Sequence, residues 1–369
     1  MIYDLGIDTR MLRHTGIGTY LKGLLSHLET SGLAGNRQIC LFGDPATNGR
    51  LRDSNFQPFR SSIYSLTEQL EYPFRLAACR LWHAPHYNVP LRKGKTKLVV
   101  TIHDIIHWKF RGRFFSPFQA AYARLMLGKA VQSADHILTV SESTRQDLIT
   151  DFKASPEKIS VTYEGVAESF KPSRDEKKSP PVISGHKIRS PYFLYVGMLK
   201  EHKNVHWLIR LFRRLKKAGK VQSALVLVGP LDPTYQKKFP DDLQIRARED
   251  IVHFPSVSPS DLLSLYQGAV ALIHPSLYEG FGLTLLEAMA CATPVVAFRT
   301  SSIPEVAGDA AWLITPDDEE ALEQALHRLE DDSTFRNKLA EKGIEQAGKF
   351  RWADMTQKTV EIYDRLLKS

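Results

Sequence analysis

Short runs of consecutive apolar residues alternate with helical segments along the whole chain. The clearest runs, 39–42, 97–102 and 136–140 in the first half and 192–196, 224–229, 270–273 and 294–297 in the second, have the length of strands. Segments of helical periodicity lie at 18–30, 117–133, 142–152 and 204–218. Strands that are apolar throughout are typical of parallel sheets covered by helices on both faces. The pattern predicts an α/β fold with doubly wound parallel sheets.

The 369-residue length favours two domains, because single hydrophobic cores stop growing at about 250–300 residues. The charged, proline-rich stretch 171–181 lacks apolar periodicity and is typical of a linker. We therefore predict a first domain at 1–175, a linker at 176–190 and a second domain at 191–349. Residues 350–369 form a separate C-terminal segment.

The excess of positive charge lies in the first half of the chain. The net charge is +8, and residues 1–190 contain 27 Lys and Arg against 17 Asp and Glu. A basic surface favours anionic partners, although it also serves solubility alone. The three cysteines, Cys40, Cys79 and Cys291, show neither metal-binding nor disulfide spacing. Together with the lack of a signal peptide pattern or an eighteen-residue apolar run, they predict a cytoplasmic protein.

The segment EGFGLTLLE places Glu279 and Glu287 on either side of a glycine turn and a helix start. Glycines in 280–282 allow close approach of a ligand, and a helix beginning near Leu283 favours an anion at its N-terminus. The two carboxylates can accept hydrogen bonds from hydroxyls. A site for a phosphate between two sets of hydroxyls matches a nucleotide sugar, whose diphosphate lies between the sugar and the ribose. The alternative is that Glu279 stabilises the helix dipole and Glu287 is solvated.

The first half has similar features after its strands. Gly16-Ile17-Gly18 opens a helix after the first strand, which suits a phosphate. His103 and Asp104 directly follow the strand 97–102, where ligands of parallel sheets bind. A buried structural histidine is the alternative.

The segment 274–296 closely resembles the donor-site signature of retaining glycosyltransferase family four, with its two glutamates seven residues apart. Segment 301–311 resembles the next part of that signature. Thr284 and Ala292 depart from the pattern, which commonly has proline and glycine there. The resemblance implies a GT-B fold, with two Rossmann-like domains facing a central cleft. The second domain would hold the nucleotide sugar, the first the acceptor, and the C-terminal helix would cross back to the first.

The resemblance also implies individual roles. Glu279 would hold the transferred sugar and Glu287 the ribose, and His103 would lie at the reacting side of the sugar. Asp104 would orient either the imidazole or the acceptor. The donor-binding residues that it implies are Gly16, Gly18, His202, Lys203, Gly229, Val252, Gly280, Phe281, Gly282, Leu283 and Glu287. Lys203 matches the family's diphosphate lysine, whereas His202 stands where arginine is usual. His86 and Tyr87 resemble the acceptor-side loop.

The stretch 108–118 interleaves cations with aromatic residues. Its candidate membrane-facing residues are Lys109, Arg111, Arg113, Phe114 and Phe115. Such a pattern suits an anionic membrane surface or single-stranded nucleic acid, unless the aromatic residues are simply core. The family resemblance favours the membrane, since many members act on lipid-linked acceptors.

The resemblance leads us to expect a retaining hexosyltransferase of polysaccharide biosynthesis that acts on a glycan or lipid-linked glycan. The expected donor is GDP-mannose, with UDP- and ADP-sugars as alternatives. No cofactor and no metal is expected, because helix N-termini and cations can neutralise the leaving diphosphate. A nucleotide-sugar epimerase of the same fold and a non-catalytic glycan-binding protein are the rival functions. A nicotinamide dehydrogenase is disfavoured, because Leu21 stands where its third glycine is needed. Besides a purely cytoplasmic location, peripheral attachment to the inner face of the plasma membrane remains open.

Overall fold

The structure is a computed structural model that describes residues 2–44, 55–173, 182–183, 185–188, 191–239 and 250–369. These residues form two compact units. The first comprises Met1–Gly165 and Arg351–Ser369, and the second Val166–Phe350. The division thus lies ten residues before the predicted end of the first domain at 175. Most of the predicted linker 176–190 lies outside the described residues.

The first unit contains one sheet in which every described strand runs parallel to its neighbours. Its strands are β1 (Tyr3–Asp8), β2 (Ile39–Gly43), β3 (Asn55–Pro58), β4 (Cys79–Ala84), β5 (Lys97–Ile102), β6 (His136–Thr139) and β7 (Ile159–Val161). Their order is β3-β2-β1-β4-β5-β6-β7. The order reverses between β1 and β4, whose register pairs Leu5 with Leu81. In open parallel sheets, ligands bind at the carboxyl ends of strands next to such a reversal.

Helices cover both faces of this sheet. They are α1 (Thr15–Thr30), α2 (Leu66–Leu76), α3 (Ile106–Lys109), α4 (Pro117–Ser133) and α5 (Glu142–Phe152). The start of α4 follows from its sequence. Oγ of Ser116 accepts from the Gln119 N–H, and Oε1 of Gln119 accepts from the Ser116 N–H. Pro117 suits the first helical position, where no N–H is needed.

The second unit contains a six-stranded parallel sheet and a small antiparallel pair. The strands are β8 (Val182–Ile183), β9 (His186–Lys187), β10 (Tyr192–Val196), β11 (Ala224–Val228), β12 (Ile251–Phe254), β13 (Ala271–His274), β14 (Val295–Phe298) and β15 (Trp312–Ile314). The large sheet has the order β12-β11-β10-β13-β14-β15, so its reversal lies between β10 and β13. The pair β8 and β9 falls in the predicted linker.

Among the described residues, seven helices pack around the second sheet. They are α6 (Val205–Lys217), α7 (Pro233–Lys238), α8 (Pro259–Gly268), α9 (Leu283–Ala290), α10 (Ile303–Ala307), α11 (Glu319–Asp331) and α12 (Ser333–Ala347). Helix α6 buries Leu208, Leu211 and Leu215 and exposes Arg214 and Lys217 on its opposite face. This spacing of three and four residues places one apolar stripe against the sheet.

The last helix, α13 (Trp352–Lys368), packs in the first unit against α1. Gly23 of α1 is needed at this contact, because a Cβ there would lie 2.4 Å from the Trp352 ring. The Tyr363 hydroxyl lies 2.6 Å from Nδ1 of His83, which is fully buried on β4. Burial, together with the charge on His103, lowers the pKa of His83 to about 3, so the ring is neutral near pH 7.

The predicted strands and helices are confirmed to within one residue at most boundaries. The exception is α1, which begins at Thr15 rather than near residue 18. Gly16 and Gly18 therefore lie inside the first turns of the helix, not in a loop before it. The strands that were not predicted are β3, β4, β7, β8, β9, β12 and β15. At β4, Arg80 and His83 interrupt the apolar run.

Candidate functional site

The carboxyl ends of β10 and β13 carry the predicted donor residues of the second unit. The segment after β10 contains Lys203, and the segment after β13 contains Glu279. The backbone N–H of Leu277 donates to the carbonyl of His202 over 2.8 Å, which joins the two segments directly. The fold therefore brings together residues that are far apart in sequence.

Glu279 is the centre of this cluster. Its carboxylate accepts two bonds from Nζ of Lys203, at 2.5 and 2.7 Å, and one from Nε2 of His274 at 2.9 Å. The side chains of Glu279 and Lys203 are 12% and 21% exposed. Burial acts to raise the pKa of Glu279, but the Lys203 ammonium and His274 outweigh it and hold that pKa well below its usual range. The carboxylate is therefore ionised and rigidly oriented.

The backbone around Glu279 is held by the loop after β14. The Glu279 N–H donates to Oγ of Ser301 over 2.8 Å, and Oγ of Ser302 donates to the carbonyl of Phe281 over the same distance. Ser301 has φ of +42°, a strained value for a residue with a side chain. The strain is maintained by these contacts, so the turn before α9 is preorganised.

Helix α9 begins where the sequence predicted, directly after Gly282. Gly282 has φ of +114°, which favours glycine, and no side chain caps the helix. The first N–H groups of α9 therefore have no partner within the helix and can donate to an anion. Gly280, Phe281 and Leu283 form the edge of this helix N-terminus.

Glu287 lies one turn further along α9. It is largely buried, and its Oε2 accepts from the Tyr266 hydroxyl over 2.8 Å. Burial raises the pKa of Glu287 to about 7, although the Tyr266 hydrogen bond acts in the opposite direction. Its carboxyl group is thus poised between the neutral and ionised forms near neutral pH.

Two further predicted donor residues of the second unit are Gly229, directly after β11, and Val252, within β12. Gly229 follows β11 with φ of +136°, and a Cβ there would lie 2.1 Å from the carbonyl oxygen of Gly197. Glycine is therefore required at this position by the close approach of two backbone segments. Val252 lies within β12 and pairs with Val226, and the next residue, His253, contacts the Gly229 carbonyl at 2.7 Å.

His103 occupies the carboxyl end of β5 in the first unit. Its Nε2 lies 3.1 Å from the Pro85 carbonyl, and its Nδ1 lies 3.3 Å from Oε1 of Glu164. The ring of Tyr20 meets the imidazole edge-on at 4.9 Å. Both ring nitrogens therefore face oxygen atoms, which fix the orientation of the ring.

The imidazole is oriented by Glu164 and Pro85, whereas Asp104 has a different partner. Asp104 Oδ1 accepts from the backbone N–H of Ile106 and so begins α3. Asp104 was predicted to orient either His103 or the acceptor. In this structure Glu164, not Asp104, faces the His103 ring. The role toward the acceptor stays a prediction.

The predicted acceptor-side residues lie after β4. Nδ1 of His86 accepts from the Asn88 N–H over 3.2 Å, which leaves Nε2 as the protonated nitrogen of a neutral ring. Burial and the neighbouring His103, His107 and His14 keep the pKa of His86 well below its usual value. The Tyr87 hydroxyl bonds to Nδ1 of His107 at 3.1 Å. This loop thus carries a neutral histidine.

The basic and aromatic stretch 108–118 is only partly exposed. Lys109 pairs with Asp147 at 2.6 Å, and Phe114 stacks on Phe110 at a centroid distance of 4.9 Å. Phe115 packs on the ring of His107 at 4.4 Å. Arg111 and Arg113 are exposed, whereas Phe114 and Phe115 are half-buried. Their contact with a membrane stays a prediction.

Sequence reasoning did not identify three contributors to these sites. His274 and Glu164 both lie at or just after the carboxyl end of a strand, which is the rule that found His103 and Glu279. Applied to every strand, that rule would have found both residues. Tyr266 lies on α8 and carries no such signal, because its contact with Glu287 depends on how two helices pack.

Two family models together cover most of the chain. Residues 177–346 match the family described as glycosyl transferases group 1, and residues 16–170 match Glycosyltransferase Family 4. O-antigen chain mannosyltransferase B of Escherichia coli is 30% identical over 294 residues, which are 78% of this chain and 74% of that protein. The chain belongs to glycosyltransferase family 4. It is a glycosyltransferase with mannosyltransferase homologues.

A second homologue agrees with this assignment, and a solved structure agrees with the fold. The glycosyltransferase is 30% identical to O-antigen chain mannosyltransferase RfbU of Salmonella typhimurium, over 76% of this chain and 73% of that protein. The crystal structure of Anabaena Alr3699/HepE in complex with UDP and glucose matches with a TM-score of 0.78 at 17% identity, covering 98% and 100% of the two chains. The predicted GT-B fold class, with two Rossmann-like parallel-sheet units, is confirmed.

Across the described residues, no helix is both long enough and apolar enough to span a bilayer.

Proposed function

We propose that this glycosyltransferase transfers a hexose, with retention of configuration, from a nucleoside diphosphate sugar to a hydroxyl of a glycan or lipid-linked glycan. The observation that carries the proposal is the cluster of Lys203, Glu279 and the uncapped N-terminus of α9 at the strand-order reversal of the second sheet. The relatives named as O-antigen mannosyltransferases support mannose as the hexose and GDP-mannose as the donor. The Anabaena structure with UDP keeps a uridine donor as the alternative.

The cluster accounts for each part of such a donor. The diphosphate would lie against the N-terminus of α9 and Lys203, because both are positive. The sugar hydroxyls would donate to Glu279 and the ribose hydroxyls to Glu287. For Gly16 and Gly18, the diphosphate-binding role that the family resemblance implies stays a prediction. In this arrangement the protein's own donors neutralise the leaving group, so the proposed reaction needs no metal ion.

The proposed step breaks the bond between sugar C1 and the β-phosphate oxygen and forms a bond from C1 to the acceptor oxygen. The acceptor proton passes to the departing phosphate oxygen, on the same face of the sugar, so the configuration at C1 is retained. His103 would donate a hydrogen bond to a hydroxyl of the transferred sugar. His86 and Tyr87 would contact the acceptor. A lipid-linked acceptor would bring the enzyme to the inner face of the plasma membrane.

A thermal-shift panel tests the donor assignment. GDP, UDP, ADP and their hexose conjugates are added with and without magnesium. A ligand that binds only the folded state raises the melting temperature by mass action. We expect a shift with guanine nucleotides that persists without metal. The Glu287→Ala variant, which should lose most of the shift while remaining folded, is the control. No shift with any nucleotide would contradict the proposed function.

A double-mutant cycle tests the pairing of Glu164 with His103. Glu164→Gln keeps the size of the side chain but removes the carboxylate that faces Nδ1 of His103. We expect turnover to fall about tenfold, with nucleotide affinity unchanged, because positioning errors act mainly on the reacting geometry.

If Glu164 acts through His103, the same substitution should have little further effect in a His103→Ala background. Glu157→Gln, at an exposed position just before β7, is the matched control. Additive effects of Glu164→Gln and His103→Ala would show that the two residues act independently.

A further inference from the structure

We propose that the first unit binds an anionic phospholipid bilayer through a face formed by the outer sides of α2 and α4. We call this surface the α2–α4 face and define it by Leu66, Leu70 and Phe74 on α2 and Phe118 and Leu125 on α4. The proposed function brings the enzyme to the membrane through a lipid-linked acceptor. This inference rests on the proposed function in one respect, because it specifies which surface contacts the membrane. The exposed residues and charges that carry it do not depend on the donor site.

Helix α2 exposes three large apolar side chains in one stripe. Leu66 is 89% exposed, Leu70 73% and Phe74 77%. Their spacing of four residues places them along one side of the helix, and the buried residues Tyr72 and Leu76 lie on the opposite side. Isolated exposed apolar residues are common, but an ordered stripe of this kind marks an interaction surface.

Helix α4 exposes two further large apolar side chains. Phe118 is 87% exposed and Leu125 63%. They flank Tyr122 at spacings of four and three residues. Tyr122 in turn meets the ring of Tyr64 at 5.8 Å, and Tyr64 directly precedes the first turn of α2. The tyrosine pair therefore joins the apolar sides of the two helices.

The charge of this region identifies the occupant. Residues 66–134 contain eleven Lys and Arg and three acids, Glu68, Glu71 and Asp104. Glu68 is buried, and Glu71 pairs with Arg75. The cations Arg92, Lys95, Arg111, Arg113 and Arg124 are exposed. Apolar side chains surrounded by cations suit the boundary between acyl chains and anionic headgroups. A second copy of the chain would bring like charges together, and a nucleic acid would leave the apolar stripe without a partner.

The α2–α4 face also adjoins the predicted acceptor loop. Tyr64 contacts the ring of His86 at 5.8 Å, and the Gln69 side chain accepts from the Leu91 N–H over 2.8 Å. Docking of this face would place the loop containing His86 and Tyr87 near the headgroup region. The half-buried Phe114 and Phe115, which were predicted to face the membrane, are replaced in that role by Phe118 and the α2 stripe.

Vesicle sedimentation tests the proposal with the full-length protein. The probes are vesicles of phosphatidylcholine alone and vesicles that contain about one third phosphatidylglycerol. We expect binding to the anionic vesicles only. The variant Leu66→Gln, Leu70→Gln, Phe74→Gln should weaken it on the order of a hundredfold, because the apolar anchor is lost. The variant Arg92→Gln, Lys95→Gln, Arg124→Gln should have an effect of similar size, since each cation near the surface contributes severalfold.

Matched controls separate this face from general surface effects. The apolar control is Ile2→Gln, Val182→Gln, Ile344→Gln, at other exposed apolar positions. The charge control is Lys217→Gln, Lys237→Gln, Lys338→Gln in the second unit. Both controls should bind vesicles like the parent protein, and all variants should retain the nucleotide thermal shift. That shift separates a failure at this face from a failure of the proposed function.

Three outcomes would overturn the proposal. The first is equal binding to neutral and anionic vesicles. The second is vesicle binding that the α2 variant leaves unchanged. The third is an absence of vesicle binding by the parent protein. In that case the oligomeric state is measured, to see whether the parent forms a dimer that the α2 variant dissociates. Such a dimer would assign the face to a second copy of this chain instead.

Discussion

Replacing Lys203 with methionine should lower the free energy of unfolding by about 3 kcal/mol and remove most of the affinity for nucleoside diphosphates. Lys203 supplies two of the bonds to the Glu279 carboxylate, and both side chains are largely buried. Removing one partner of a buried ion pair leaves the other charge uncompensated, which costs several kcal/mol. The same ammonium is the proposed ligand of the diphosphate. Chemical denaturation and nucleotide titration measure the two effects separately.

The double variant Lys203→Met, Glu279→Gln distinguishes stability from binding. It contains no uncompensated charge at this position, so much of the lost stability should return while nucleotide binding stays weak. Lys220→Met is the matched control, because Lys220 pairs with Glu323 at an exposed site and should change stability by less than about 1 kcal/mol. If Lys203→Met binds nucleotide as tightly as the parent, Lys203 does not hold the diphosphate.

Replacing Glu287 with glutamine should stabilise the protein above neutral pH and weaken nucleotide binding at the same time. Burial raises the pKa of Glu287 from 4.5 to about 7 in the folded protein. The native contribution of this carboxyl is therefore complete below pH 4.5 and is lost as the pH rises through about 7. Glutamine avoids this loss, because it stays neutral and its oxygen can still accept from Tyr266. The shift corresponds to about 3 kcal/mol at high pH.

Denaturation at about pH 5 and about pH 8 tests this linkage. The stabilising effect of Glu287→Gln should be small at the lower pH and large at the higher. Nucleotide affinity of the parent should rise over the same range, because ribose hydroxyls donate to the ionised carboxylate, and the variant should lack that rise. Glu341→Gln, an exposed substitution on α12, should show neither trend. A stabilisation that does not vary with pH would contradict a raised pKa at Glu287.

Glu287→Gln is expected to raise stability and weaken nucleotide binding together, and this combination is typical of a binding-site residue. Functional carboxylates are often held in environments that stabilise the empty protein less than a neutral residue would. The charge state of Glu279 is the opposite, because Lys203 and His274 keep its carboxylate ionised inside the same unit. The two glutamates of EGFGLTLLE therefore differ in charge state because their neighbours differ, although their positions in the sequence pattern look equivalent.

The sequence by itself determined the strands with continuous apolar runs, the helices with clear periodicity and the positions where chemistry could occur. Continuous apolar runs such as 97–102 predict buried parallel strands, and the glycine turn at 280–282 predicts an exposed helix N-terminus. These are local properties, because a strand's burial and a helix's start depend on residues within a few positions. The strand β4 escaped prediction for the same reason. Its His83 is tolerated in the core only because Tyr363 on α13 and Thr101 on β5 satisfy its nitrogens.

Only the tertiary structure decided which of those positions meet. Strands β10 and β13 are adjacent although β11 and β12 lie between them in sequence, so Lys203 reaches Glu279 across 76 residues. In the same way Glu164 after β7 reaches His103 after β5. Strand order and helix packing set these contacts, and neither is encoded in local spacing. The charge state of each carboxyl, and the exposure of the α2 stripe, follow from that packing.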